Sequence, residues 1–247
     1  MNYFAKIKYL GTDFHGFQVQ PELRTVQGVL CEALRSALGG EVMVTGCSRT
    51  DAGVHANEFC VRIDAPSATV PSDKLSLAVS RFLPKDLSLF WASECDVSFH
   101  PRYDVKEKEY LYRIVNQRVY DPFLYGRVYF LPRPITDEAL ANMQAAAKHF
   151  IGKFDFSTFM SEGSDVEDTV RCVSSLTVDR IGDEIDISIR ADGFLYNMVR
   201  IIVGTLIEVA YGRTLPSEIP DIINSKDRTR AGMTAPPEGL YLNRVIY

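Results

Sequence analysis

Tyr103-Asp104-Val105-Lys106-Glu107-Lys108-Glu109-Tyr110-Leu111-Tyr112-Arg113-Ile114-Val115-Asn116 is where the pattern of this chain begins a second time. Apolar residues alternate with charged ones through Tyr103, Val105, Tyr110, Tyr112 and Ile114, which predicts a strand over 103–116. Residues 2–10 open the chain with the same alternation. The elements after each of these two strands decide the fold.

After the first strand, Thr25 is placed to cap a helix. Val26, Val29, Leu30, Ala33, Leu34, Ala37 and Leu38 come next at helical spacing until Gly39-Gly40. Strands are expected near 41–47 and 57–64, a helix near 72–82 between Ser72 and Pro84, and a strand over 87–95. After the second opening strand, Thr136-Asp137-Glu138 starts a helix with acidic residues in its first turn, where the helix dipole favours them. Leu140, Met143, Ala147, Phe150 and Ile151 supply its apolar face, and Gly152 is placed to end it. Strands over 171–180 and 184–191 meet at a turn near Gly182-Asp183. A helix over 196–210 and a last strand from Leu240 to Ile246 complete the series. Both series read β-α-β-β-α-β, the order of a ferredoxin-like unit. The expectation is an α+β fold of two ferredoxin-like halves, each with its helices on one face of an antiparallel sheet. The boundary falls near 97–103, giving halves 1–100 and 101–247.

Composition narrows the class. In 247 residues, 46% hydrophobic and 24% charged, there is room for a real core in a soluble globular protein. The net charge of −5 means that any surface for a nucleic acid must be a local basic patch. Cysteines at 31, 47, 60, 95 and 172 are odd in number and include no Cys-x-x-Cys, which argues against a disulfide framework or a zinc site and for a reducing cytosol. Histidines at 15, 55, 100 and 149 lack metal-ligand spacing. The alternation beginning at Asn2 leaves no room for a signal peptide. The most apolar window, Phe194 to Ala210, contains Arg200 and Glu208 and is too short and too charged to span a membrane. Phosphate-loop, dinucleotide-binding and nucleophile-elbow motifs are absent from the sequence.

Three stretches carry chemistry. Ser48-Arg49-Thr50-Asp51-Ala52-Gly53-Val54-His55-Ala56 is a polar turn between two apolar runs, and Asp51 is its sharpest catalytic candidate. Asp and Gly are equally ordinary turn residues, so turn chemistry alone leaves a structural reading open. The helix over 196–210 is apolar nearly all round, apart from a stripe of Asn197, Arg200, Gly204 and Glu208. A buried arginine needs an anionic partner, and Asp51 or an RNA phosphate would serve; equally open from the residues is that Arg200 pairs with Glu208 or reaches solvent. The segment Phe99–Arg113 interleaves rings with cations, which suits RNA as well as a solvated amphipathic strand. Lys226-Asp227-Arg228-Thr229-Arg230 adds positive charge near the closing loop, as solvated surface runs commonly do.

Taken in order, these residues resemble the tRNA pseudouridine synthase A family over almost the whole length. The resemblance rests on Tyr9-Leu10-Gly11-Thr12-Asp13-Phe14, Gly16-Phe17-Gln18-Val19-Gln20, Thr25-Val26-Gln27-Gly28 and Arg49–Ala56. It continues through Phe99-His100-Pro101-Arg102, Asp155-Phe156-Ser157-Thr158-Phe159, Gly193–Arg200 and Val203-Gly204-Thr205-Leu206. It closes with Lys226-Asp227-Arg228, Ala231-Gly232 and Thr234–Leu242. Phe17, Ser48 and Met233 stand where the family commonly has Trp, Gly and Pro. The resemblance implies an isomerase that converts uridine to pseudouridine at positions 38, 39 and 40 of the tRNA anticodon stem and loop. It implies a homodimer in the cytoplasm, without cofactor or metal, whose two halves join into one long sheet with the active site in the cleft between them. By motif match, Asp51 is the catalytic aspartate, Arg49 helps extrude the uridine, Tyr110 packs on the uracil, and Arg200 pairs with Asp51. The rival readings are a non-catalytic RNA-binding module and a hydrolase or lyase using Asp51 and His55 as base and acid.

Overall fold

The expected alternation at the start of the chain forms strand β1, Asn2–Tyr9, whose Tyr3, Ala5 and Ile7 point into a core and are fully buried. In this computed structural model residues 1–163 and 166–247 are described. Helix α1 spans Val26–Leu38 because Thr25 caps it, its hydroxyl accepting the Gly28 N–H at 3.3 Å. Gly39, at φ +73°, ends it. Then come β2 (Met43–Gly46), β3 (His55–Asp64), α2 (Ser72–Ser80) and β4 (Leu87–Glu94). The strands pair antiparallel in the order β4-β1-β3-β2, the ferredoxin-like arrangement. Phe59, Val61 and Ile63 of β3, Leu30 and Leu34 of α1, and Leu75 and Val79 of α2 join the β1 residues in a common buried set. Each such side chain contributes about 1.5–3 kcal/mol by leaving water. The other face of β1 and β3 mixes ion pairs with rings: Lys6 pairs with Glu58 at 3.0 Å and Arg62 with Asp64 at 3.0 Å, while Phe4 packs against Trp91, Phe99 and Tyr247.

The second series is β5 (Glu107–Val115), β6 (Tyr129–Phe130), α3 (Asp137–Lys148), β7 (Gly152–Asp155), β8 (Val170–Ile181), β9 (Glu184–Ala191), α4 (Met198–Ala210) and α5 (Ile219–Ser225). Here β5-β9-β8-β7 pair antiparallel, and β6 lies parallel to the end of β5. Thr136 caps α3 by accepting the Ala139 N–H. β8 and β9 form a hairpin whose two-residue turn is Gly182, at φ +62°, and Asp183.

By compactness the chain divides into Met1–Lys106 with Tyr241–Tyr247, and Glu107–Leu240. The last strand, β10 (Leu240–Ile246), pairs parallel with β3, Tyr241 opposite His55 and Leu242 opposite Ala56. Residues 241–247, expected from sequence in the second half, thus group with the first.

Other departures have local causes. β5 starts at Glu107 because the His100 Nδ1 accepts the N–H groups of Arg102 and Tyr103 and bends the chain there. α3 stops at Lys148, and Gly152, at φ +135°, opens β7 where the sequence reading ended the helix. Phe150 is buried outside the helix and Ile151 is exposed, so the two do not extend its apolar face. β6, β7 and α5 were not anticipated, since two, four and seven residues are too few to show a period. Among the described residues no helix is long and apolar enough to cross a membrane.

Candidate active site

Arg49, Thr50 and Asp51 lie on the loop between β2 and β3. The segment behind that loop holds it in place. The Tyr9 hydroxyl meets the Thr50 hydroxyl at 2.8 Å, and the Phe17 N–H donates to the Thr50 carbonyl at 3.2 Å. Gly53 N–H donates to the Phe14 carbonyl, and Val54 N–H closes the turn on the Asp51 carbonyl, each at 3.2 Å. Two glycines make this approach possible. A Cβ on Gly16 would stand 2.5 Å from the Thr50 carbonyl, and Gly16 itself sits at φ +81°. A Cβ on Gly11 would overlap the Val54 carbonyl. Phe17 stacks on Phe59 at 4.3 Å and fills the space beside Gly46. The result is a fixed platform on which Thr50 is buried, Asp51 half-buried and Arg49 exposed.

His55 is not placed for acid–base chemistry on a substrate. It is fully buried, its Nδ1 accepts the Gly11 N–H at 2.8 Å, and its ring stacks on Tyr241 at 4.5 Å. The hydrolase or lyase reading loses its second catalytic group on these grounds.

Tyr110 and Arg200 belong to the second unit. Tyr110, on β5, is buried, and the Phe194 ring meets its ring edge-on at 5.0 Å. Tyr112, two residues along, has no exposed surface and donates its hydroxyl to the Pro236 carbonyl at 2.7 Å. Burial, and then the nearby Glu238 carboxylate, push the Tyr112 hydroxyl well above the usual tyrosine range. Tyr112 is therefore a neutral packing residue.

Arg200 projects from α4. Its Nε donates to the Ala235 carbonyl and its Nη1 to the Asn197 Oδ1, both at 2.7 Å, while the Ala235 N–H returns to the Arg200 carbonyl at 3.0 Å. Asn197, left-handed at φ 60°, in turn donates to the Ser161 hydroxyl at 3.0 Å. The polar stripe on α4 thus has a structural meaning, because the strap 231–235 lies along it. Gly204 admits the Met233 carbonyl, and the Gly232 N–H donates to the Thr205 hydroxyl at 2.9 Å. Arg228 closes the strap by donating to the carbonyls of Ala231 and Gly232 and to the Thr234 hydroxyl. Lys226 pairs with Asp155 at 2.9 Å. The Thr169 hydroxyl and then Lys226 hold the Asp155 carboxyl below its usual range against the opposing effect of burial.

Of the run expected on the solvated surface, Lys226 is exposed there while it pairs with Asp155, whereas Arg228 is half-buried and braces the strap. Tyr9, Gly16, Phe194 and Asn197 carry no role in the sequence reading, although all four lie in the quoted motifs and Asn197 also lies on the polar stripe. Of the three departures from the family pattern, Phe17 packs as described, Ser48 is half-buried and Met233 is exposed. Among the described residues no three His, Cys, Asp or Glu side chains gather as a metal cage.

Comparison with known proteins bears on the same residues. The family model described as tRNA pseudouridine synthase matches residues 5–104 and 146–247. A tRNA pseudouridine synthase A from Thermoanaerobacter sp. (strain X514) is 43% identical over 246 residues, covering 100% of this chain and 99% of that one. The protein of the same name from Brevibacillus brevis is 44% identical over 241 residues, covering 98% of this chain and 97% of that one. One from Halalkalibacterium halodurans is 42% identical over 240 residues, covering 97% of this chain and 90% of that one. With an aspartate on a pinned loop in one unit, a gripped arginine in the other, and matches of this extent, the chain belongs to the tRNA pseudouridine synthase family, isomerases that convert uridine to pseudouridine.

Proposed function

We propose that this chain isomerises uridine to pseudouridine at positions 38, 39 and 40 of the tRNA anticodon stem and loop, as a cytoplasmic homodimer and without cofactor, with Asp51 as its catalytic residue. The observation that carries the reading is the Arg49-Thr50-Asp51 loop: a half-buried carboxylate on an immobilised turn, in a chain 43% identical to a named synthase over its whole length. A module that only bound RNA would have no use for a carboxylate facing a polyanion.

In the reaction the N1–C1′ bond breaks, the uracil turns, C5 joins C1′, and the C5 proton is lost while N1 gains one. Asp51 acts on the sugar or on the base, as nucleophile or as base. Arg49 meets the phosphate of the extruded nucleotide and Tyr110 lies against its uracil. These contacts offset the few kcal/mol that extrusion costs. Arg200, its orientation set by Ala235 and Asn197, supplies positive charge that keeps the Asp51 carboxylate ionised.

The test is tritium release from tRNA carrying C5-labelled uridine, read at each position. Asp51→Asn should abolish release while leaving tRNA bound as well as before or better, since one negative charge is removed. Turnover within about tenfold of wild type, only about 1.4 kcal/mol of barrier, would remove Asp51 from the chemistry.

A further inference from the structure

We propose that the segment joining β5 to β6, residues 117–127, is a second RNA-contacting surface, on which unpaired tRNA nucleotides stack and whose arginines meet the adjoining phosphates. The proposal rests on the tRNA reading above and extends it to a part of the chain that the family model's matched ranges skip.

The segment is a constructed turn. At its base the Asn116 Nδ2 donates to the carbonyls of Leu131 and Arg133, and the Asn116 Oδ1 accepts the Ile135 N–H, each at 2.8 Å. At its tip the Asp121 carboxylate accepts the Phe123 N–H at 2.9 Å, and the N–H groups of Leu124, Tyr125 and Arg127 close successive turns at 3.1–3.3 Å. Tyr120 packs edge-on against Phe130 at 5.2 Å. Despite this ordering the apolar side chains face water: Phe123 is 84% exposed, Val119 78%, Tyr125 72% and Tyr120 41%. Exposed apolar side chains gathered on one braced turn mark a contact surface.

Charge selects the occupant. Arg118 and Arg127 are exposed within the segment, and the exposed Arg133 lies just beyond it with its guanidinium 4.1 Å from the Tyr211 ring. Against these arginines the segment has one carboxylate, Asp121, turned to the Phe123 N–H at the tip, so positive charge predominates. A second copy docking this patch on itself about a two-fold axis would set arginine against arginine. Single-stranded RNA satisfies both features at once, because its bases stack on rings and its phosphates meet guanidinium groups.

The experiment compares tRNA binding by wild type, by Phe123→Ala/Tyr125→Ala and by Arg118→Ala, each across a salt series, with sedimentation velocity on the same samples. The ring variant should bind tRNA about tenfold or more weakly, its loss appearing in KM far more than in kcat. Arg118→Ala should lower the slope of log K against log salt by about one. All three positions are exposed, and an unchanged thermal midpoint confirms folding. Wild-type affinity and salt slope in both variants would overturn the surface. So would loss of self-association with tRNA affinity intact, which would assign the patch to a second copy. Binding is read apart from turnover. Absence of tritium release in wild type counts against the isomerase reading alone, and wild-type turnover with unaltered variant binding counts against this surface alone.

Discussion

The Asp51 loop and the Arg200 station present opposite charges and are held in opposite ways. The loop is fixed through its main chain and the Thr50 hydroxyl, by partners behind it on Tyr9, Phe14 and Phe17. Arg200 is fixed through the guanidinium itself, which the Ala235 carbonyl and Asn197 amide hold at two separate nitrogens. A short carboxylate has few torsions, so placing its backbone nearly places the charge. A long arginine can swing through many rotamers, and only contacts at its far end define where the charge sits. The pair shows two solutions to preorganising a charged group.

The sharpest way to break this comparison is Arg200→Met. It keeps much of the stem volume and removes both the charge and the two anchoring bonds. Turnover should fall about a hundredfold or more, and Arg200→Lys should recover only a small part, because an ammonium cannot span both acceptors. Full activity with unaltered thermal stability would place Arg200 outside the site.

A smaller effect tests the loop from behind. Gly16→Ala puts a methyl against the Thr50 carbonyl at a positive φ, at a cost of about 1–3 kcal/mol. Melting temperature should drop and kcat should fall, although the substituted residue is a glycine behind the loop. A variant with lowered stability and unchanged kcat would show that Asp51 keeps its place without the platform.

The smallest contrast sharpens the roles of the two tyrosines. Tyr110→Ala should weaken transition-state binding by about 1–3 kcal/mol through loss of the ring. Tyr112→Phe removes only the bond to the Pro236 carbonyl, should cost about 1 kcal/mol of stability, and should leave turnover alone. Denaturant melts and kcat/KM on both variants read the two effects separately. Equal catalytic losses would erase the distinction that burial and hydrogen bonding draw between them.

Much of this was legible in the sequence where the signal is local. Thr25 and Thr136 cap the helices they are expected to cap, and β10 spans the stretch from Leu240 to Ile246 expected to close the chain as a strand. Asp51 and Arg49 stand out as candidates because turn chemistry and motif coincide on residues two apart. Contact between distant residues could not be read. Nothing near Arg228 shows that it will hold the carbonyls of Ala231 and Gly232, and nothing near Gly16 shows that the Thr50 carbonyl will press on it. The helix stripe at Asn197, Arg200 and Gly204 was visible as a pattern, but its partner, the strap 231–235, carries no periodicity to announce it. For β7 a second cause adds to its shortness: Gly152 is a common helix terminator, and here it starts a strand.

The return of residues 241–247 to the first unit has a consequence for synthesis on the ribosome. Residues 1–106 emerge first, yet the neighbour of β3 at His55 and Ala56, and the ring that stacks on His55, arrive only after residues 107–240 have been made. Until then the nascent first unit carries an unpaired strand edge beside the loop that holds Asp51, and such edges invite pairing with other chains. Closing it requires bringing together residues far apart along the chain, a slow and entropically costly step. The second unit meets no such delay in its own sheet, since β5 to β9 are contiguous in sequence. The unit that is translated first is therefore the one that is completed last.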